Sequence, residues 1–411
     1  MKKIFILLVI LLSYANSFAQ EKQSFGISFS GYVKSEMLFD SRQNSSLREG
    51  HFLLFPLNEV LDVNKNDVNA KANLNIMSIQ TRLTGKITGP EAFGAKTSGL
   101  IEGEFFGTSD ADVNGFRLRH AFVKLDWQNT SLLVGQYWHP MFVAEMFPGV
   151  ISVNTGAPFQ PFSRNPQIRL TQTFGDIKVI LAAASQRDFQ SYGPDATGKS
   201  ALSTVYLRNS VLPNMHLQLQ YKSGENLFGI GGDYKILTPR LATSKNYQTT
   251  ETVGSFSAIG YLKLNLDPVT LKLEGIMGEN LPDLMMLGGY VIKATDGPTG
   301  IETYLPTKVL SFWGEISTGK DVELALFAGY QKNLGTSENV TGTFYTRGAD
   351  IENLLRISPR IQWNSGKTRI SAEVEYTAAA YGTVNNNNKA LVENIKTISN
   401  VRFLAAVFYF F

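Results

Sequence analysis

Arginine and glutamate recur in this chain at a spacing of two. Arg117 and Arg119 stand in Phe116-Arg-Leu-Arg-His-Ala-Phe-Val, Glu102 and Glu104 in Ile101-Glu-Gly-Glu, and Arg82 alternates with Gln80, Thr84 and Lys86. Arg169 follows, and near the C-terminus Arg356, Arg360 and Arg369 occur in segments that also hold Glu373 and Glu375, with Glu36 and Glu315 on similar segments elsewhere. Successive side chains of a strand point to opposite faces, so residues two apart share one face. Such a face offers two chemistries. The arginines could form a positive strip that lowers the cost of admitting an anion, or they could pair across strands with Glu102 and Glu104 and brace a wall. Spacing alone leaves both open.

Nucleophilic and metal chemistry have no comparable footing. His51, His120, His139 and His216 are scattered, none sits beside a Ser/Asp or Cys arrangement, and the chain has no cysteine at all. Asp62-Val-Asn-Lys-Asn-Asp67 resembles the start of a calcium loop, but the sixth position, where glycine makes the turn, is Asp67, and the twelfth is Asn73 rather than glutamate. It reads as a polar loop, and the run Asn385 to Asn388 as a solvated loop tip. No enzyme activity, cofactor or metal centre is expected. The formal charge of +3 includes Lys2 and Lys3; without them 36 Lys plus Arg face 35 Asp plus Glu, which gives no basic bias toward nucleic acid.

The elements that would carry these residues follow from the periodicity. Lys2 and Lys3 precede an apolar run from Ile4 to Leu12 and then Ser17-Phe18-Ala19, the pattern of a signal peptide over 1–19 that is cleaved before Gln20. Beyond it no stretch of 18 apolar residues occurs, so membrane residence would require strands. Phe25, Ile27, Phe29, Val33, Met37 and Phe39 alternate with Ser28, Ser30, Lys34, Glu36 and Asp40, and similar alternation returns at 215–222, 255–266 and 369–376. Many long segments of this kind indicate an all-β fold, a transmembrane antiparallel β-barrel over 20–411 with lipid outside and water inside.

Short links at Gly175-Asp176, Asp267-Pro268, 318–320 and 364–367 alternate with long ones at 41–71, 139–165, 279–306, 333–352 and 381–396, as inner turns and outer loops should. The stretch 201–254 divides in two ways and a direct count gives 17 strands; bacterial single-chain barrels have even numbers, so 16 strands are expected and 18 come second. The last segment places Val401, Phe403, Ala405, Val407, Tyr409 and Phe411 on one face. As a closing strand it should pair with the first, and it resembles the C-terminal signature that outer-membrane barrels present to their assembly machinery. Trp127 and Trp363 near inner turns, and Tyr137 and Trp138 before a long loop, are expected at the aromatic girdles.

Inside such a barrel, Arg82, Glu102, Glu104, Arg117, Arg119 and Arg169 would line the pore. The loop 139–165 is unusually apolar for a solvent loop. Phe142, Phe147 and Phe159 need packing partners, so an inward-folded constriction loop that also carries Glu145 and Arg164 is expected, with a subunit contact as the alternative.

Phe116-Arg-Leu-Arg-His-Ala-Phe-Val-Lys-Leu, then Ser131-Leu-Leu-Val-Gly-Gln-Tyr-Trp-His-Pro, and the opening Gly31-Tyr-Val-Lys-Ser-Glu-Met-Leu-Phe-Asp resemble the phosphate-selective porin superfamily and its DcaP-like relatives. The resemblance covers about residues 25–175. It implies a 16-stranded, homotrimeric, passive channel in the outer membrane of a Gram-negative cell, with Arg117 and Arg119 where the family places pore-lining arginines. The lysine-rich ladder of phosphate channels is not evident, nor is the N-terminal coiled coil of some relatives. The expectation is therefore diffusion of small hydrophilic solutes with at most mild anion preference. The alternatives are a non-channel barrel that scaffolds a surface assembly, or a transporter of hydrophobic substrates.

Overall fold

The alternation of polarity becomes one closed sheet. The computed structural model describes residues 25–411, and the expected signal peptide lies outside them. The strands are β1 (Gly26–Asp40), β2 (Arg82–Thr88), β3 (Lys96–Glu104), β4 (Arg117–Asp126), β5 (Thr130–Trp138), β6 (Arg164–Phe174), β7 (Ile177–Ala184) and β8 (Asn214–Ser223). They continue as β9 (Asn226–Leu237), β10 (Val253–Asn265), β11 (Val269–Glu279), β12 (Lys308–Thr318), β13 (Val322–Asn333), β14 (Ile351–Ser365), β15 (Thr368–Asn385) and β16 (Leu391–Phe410). Seventeen stretches fill these sixteen positions, because Asn73–Met77 pairs with the outer half of β1 and β2 with its inner half. Sixteen is thus the count, and 18 is excluded. In the ambiguous region Ser200–Ser203 leaves the wall to pair with Ser191–Pro194, and 205–208 is a helical turn.

β1 meets β16 antiparallel, from Tyr32 opposite Phe410 to Asp40 opposite Arg402, and so seals the barrel. Ile27, Phe29, Val33 and Met37 of β1, Leu217 and Leu219 of β8, and Phe403 and Val407 of β16 are exposed on the outside. Between them Lys34, Glu36, Gln218 and Arg402 point inward and are at most 2% exposed. Water-soluble proteins have the opposite arrangement. A closed barrel satisfies every wall backbone group without water, which a bilayer requires.

The links at 175–176, 266–268, 319–321 and 366–367 lie at one end, called inner below; the long loops lie at the other. The segment 381–396 is no loop, because β15 and β16 run on to 385 and from 391. With 18 and 20 residues they far exceed the roughly ten that span a bilayer and so project beyond it. Trp127 donates to the Phe93 carbonyl at 3.1 Å near the inner turns, and Trp363 is exposed there. Trp138 departs from the girdle expectation: it stacks on Phe142 with ring centres 3.8 Å apart and lines the interior, while Tyr137 packs on His120 at 5.1 Å.

The hydrophobic core sits inside the lumen, filled by outer loops that turn back into it. One strap is the hairpin of Asn44–Leu47 with Phe52–Pro56; the second is 139–163; Leu281 to Leu287 and Phe189 complete the filling. Phe52, Phe142, Phe159, Phe162 and Met285 are each no more than 3% exposed. The run Phe52-Leu-Leu-Phe of the long loop 41–71 thus lies within the barrel.

Candidate functional site

β2, β3 and β4 stand side by side, with Arg82 opposite Glu104, Thr84 opposite Glu102 and Glu104 opposite Arg117. The register slips between Glu102 and Gly103, leaving Arg119 as an extra residue in β4. Such a bulge re-aims a side chain. Here it brings Arg119 Nε to 2.7 Å from Glu102 and Arg119 Nη1 to 2.6 Å from Glu104. Glu104 has no exposed surface and also receives Arg82 at 3.0 Å, Arg117 at 3.3 Å and Arg164 at 3.7 Å. Asp188, from the loop after β7, takes Arg117 and Arg164 at 2.8 Å each. Arg48 of the first strap lies 4.4 Å over the Phe106 ring beside this cluster.

Bracing therefore dominates here: four guanidiniums share three carboxylates. Arg82, Glu102 and Arg119 still line an open cavity, whereas Glu104, Arg117 and Arg169 do not. Arg169 donates instead to the Trp138 carbonyl at 2.6 Å and to Gln167 at 2.9 Å. Asp188 and Arg48 had no signal in the sequence, since both belong to loops far from their partners along the chain.

The second strap crosses the lumen. It leaves β5 at His139, where Phe142 packs on Trp138, and reaches the opposite wall, where Phe159 lies 6.4 Å from Phe327 of β13. Glu145 meets Lys222 at 2.5 Å and Lys178 at 3.8 Å, and Phe147, 5.6 Å from Phe142, offers its carbonyl to Lys272 at 2.9 Å. Arg164 closes the strap in the arginine cluster.

Beneath the strap is a polar cavity of about 670 Å³, roofed by Glu145 to Ser152 and walled near the inner end by Tyr32, Lys263, Thr270, Ser317, Arg369 and Phe410. Six Arg or Lys side chains and four glutamates line it. Lys263 faces Lys272 directly across β10 and β11, and its nearest carboxylate, Glu225, is 3.8 Å away. Lys178 of β7 and Lys222 of β8 are both held by Glu145 of the strap. Outside this site, Asp62 accepts from the N–H groups of Asn64 and Asn66 at 2.8 Å each, which is a local turn.

No family model and no curated protein sequence matches this chain. Solved structures do. The outer membrane channel DcaP of Acinetobacter baumannii aligns with 95% of this chain and 99% of its own at a TM-score of 0.69 and 14% identity. This chain has the fold of that channel. OmpT of Vibrio cholerae, in its trimer form, aligns with 95% of this chain and 100% of its own at a TM-score of 0.56 and 9% identity. Salmonella typhi OmpF, solved with daunomycin, covers 94% and 97% at a TM-score of 0.50 and 10% identity. At these identities the likeness is one of fold.

Proposed function

We propose that this chain is a DcaP-like porin of the outer membrane, exported by its signal peptide and assembled as a homotrimer. Small hydrophilic solutes cross it by diffusion, with mild anion preference and no energy coupling. One observation carries the reading: a closed barrel, apolar outside, holds a charged cavity rich in cations beneath an inward strap. The role assigned to residues 139–163 is constriction; Arg82 and Arg119, with Lys263, Lys272 and Arg369 opposite, are assigned to ion selection. The strand that ends at Phe411 is assigned to recognition by the assembly machinery.

Planar bilayers test the proposal. Discrete conductance steps with a reversal potential on the anion side are expected in a salt gradient, and inserted protein without steps overturns it. The apolar filling of the outer half favours a second reading, a plugged barrel that scaffolds a surface assembly. That reading predicts no steps.

A further inference from the structure

The straps are held by their main chain. Six neighbouring strands contribute side chains to it: Arg356 of β14 donates to the carbonyls of Ala157 at 2.8 Å and Leu54 at 3.0 Å, Arg402 of β16 to that of Gly50 at 2.6 Å, and Lys34 of β1 to that of Ile151 at 3.0 Å. Gln331 of β13 donates to the carbonyl of Pro158 at 2.9 Å. Two carboxylates do the converse: Glu315 of β12 accepts the N–H of Gly149 at 2.7 Å, and Glu373 of β15 accepts that of Ile151. Each of the six is at most 2% exposed, so the straps cover them completely.

Attraction of anions alone does not account for carboxylates that accept strap N–H groups, and an apolar lane has no use for either kind of group. Donors and acceptors together on one wall match a chain of amides, which presents both C=O and N–H along its length. We propose that the wall from β12 through β16 to β1 is a binding surface for short extended oligopeptides, with the straps as its resident occupants. The inference rests on the channel reading above and names its substrate class. The wall continues to the edge of the open cavity, lined there by Glu315, Glu323, Arg360 and Gln362 as one network in which Arg360 pairs with both glutamates and Gln362 donates to Glu323 at 3.1 Å. Exchange at the cavity edge, where Gly149 and Ile151 of the strap meet Glu315, Glu373 and Lys34, replaces those strap hydrogen bonds with peptide ones and leaves the charged groups paired.

The probe is trialanine blocked by acetyl and amide groups, applied to the full protein in planar bilayers. Its neutrality removes any contribution from net charge. Two controls accompany it: a neutral disaccharide of similar size, and the depsipeptide in which esters replace amides and the N–H donors vanish. Reversible blockades by the peptide are expected at roughly fivefold lower concentration than by the depsipeptide, the effect of losing one or two hydrogen bonds, and none by the disaccharide. Gln331→Leu should shorten the blockades. Equal blockade by all three probes, or none by the peptide in a conducting channel, overturns the inference and leaves the porin reading standing. Absence of conductance overturns both.

Discussion

At the scale of the residue, Glu104 decides what the arginines are for. It is fully buried and lies within 3.7 Å of four guanidiniums, so Glu104→Gln leaves several cations short of a partner without changing side-chain size. Breaking one member out of a buried charge network typically costs about 3–5 kcal/mol. Glu104→Gln should lower the urea midpoint of the refolded barrel accordingly, whereas Arg82→Ala, at the edge of the cluster and partly exposed, should change it little. The far wall, facing Arg82 and Arg119, carries the less compensated share of the selecting charge. Lys263 meets a carboxylate only at 3.8 Å, on the exposed Glu225, and Arg369 donates to the neutral Asn364 at 2.7 Å, so both bring weakly compensated charge to the cavity. Lys263→Ala and Arg369→Ala should each reduce the anion-to-cation permeability ratio roughly twofold at low salt, as expected for a unit charge about 10 Å from the ion path in water. Arg117→Ala should leave the reversal potential unmoved. The alternation at 82, 102, 104, 117 and 119 made this cluster legible as one face of neighbouring strands. Pairing or pore could not be read there, because it depends on Asp188, which reaches the cluster only through the loop after β7.

At the scale of the element, the straps set how open the lumen is. The apolar character of 139–165 was plain in the sequence, and the same argument applies to Phe52-Leu-Leu-Phe, which lies in a loop whose polar majority masks it. Strand number was nearly legible: even parity pointed to sixteen, while the extra strand of a direct count came from 201–254, where Ser200–Ser203 leaves the wall to pair with Ser191–Pro194 and 205–208 is a helical turn. Trp138 was misplaced because position before a loop does not specify which face a side chain takes once the loop folds inward. The hairpin of the first strap is tied to the wall through Arg356 and Arg402 and buries Phe52, Leu53 and Leu54. Replacing 45–55 with a short Gly/Ser link should raise single-channel conductance several-fold, since a pore conducts in proportion to its open cross-section. Unchanged conductance in the folded variant would mean that solutes never pass along this side.

At the scale of the whole molecule, closure is the step on which all else depends, and its seam is tight at one residue. The Gly31 N–H donates to the Phe411 carbonyl at 3.3 Å and the Phe411 N–H to the Gly31 carbonyl at 3.1 Å, so the last residue is stitched to the first strand. A Cβ on Gly31 would stand 2.1 Å from the Arg82 carbonyl oxygen and 3.0 Å from the Phe411 ring. The first contact is with backbone that is itself paired to β1, so neither side has freedom to yield. Gly31→Val should therefore prevent the meeting of β1 with β2 and β16 and leave open edges that a bilayer does not tolerate. Gly260, on the outer face of β10, has no atom within 4 Å of an added Cβ, and Gly260→Ala should fold normally. Folded barrels keep their compact migration in unheated detergent gels and lose it on boiling. The Gly31 variant should show only the boiled position and the Gly260 variant both; a compact band for Gly31→Val would mean that the seam can shift its register to accept the side chain.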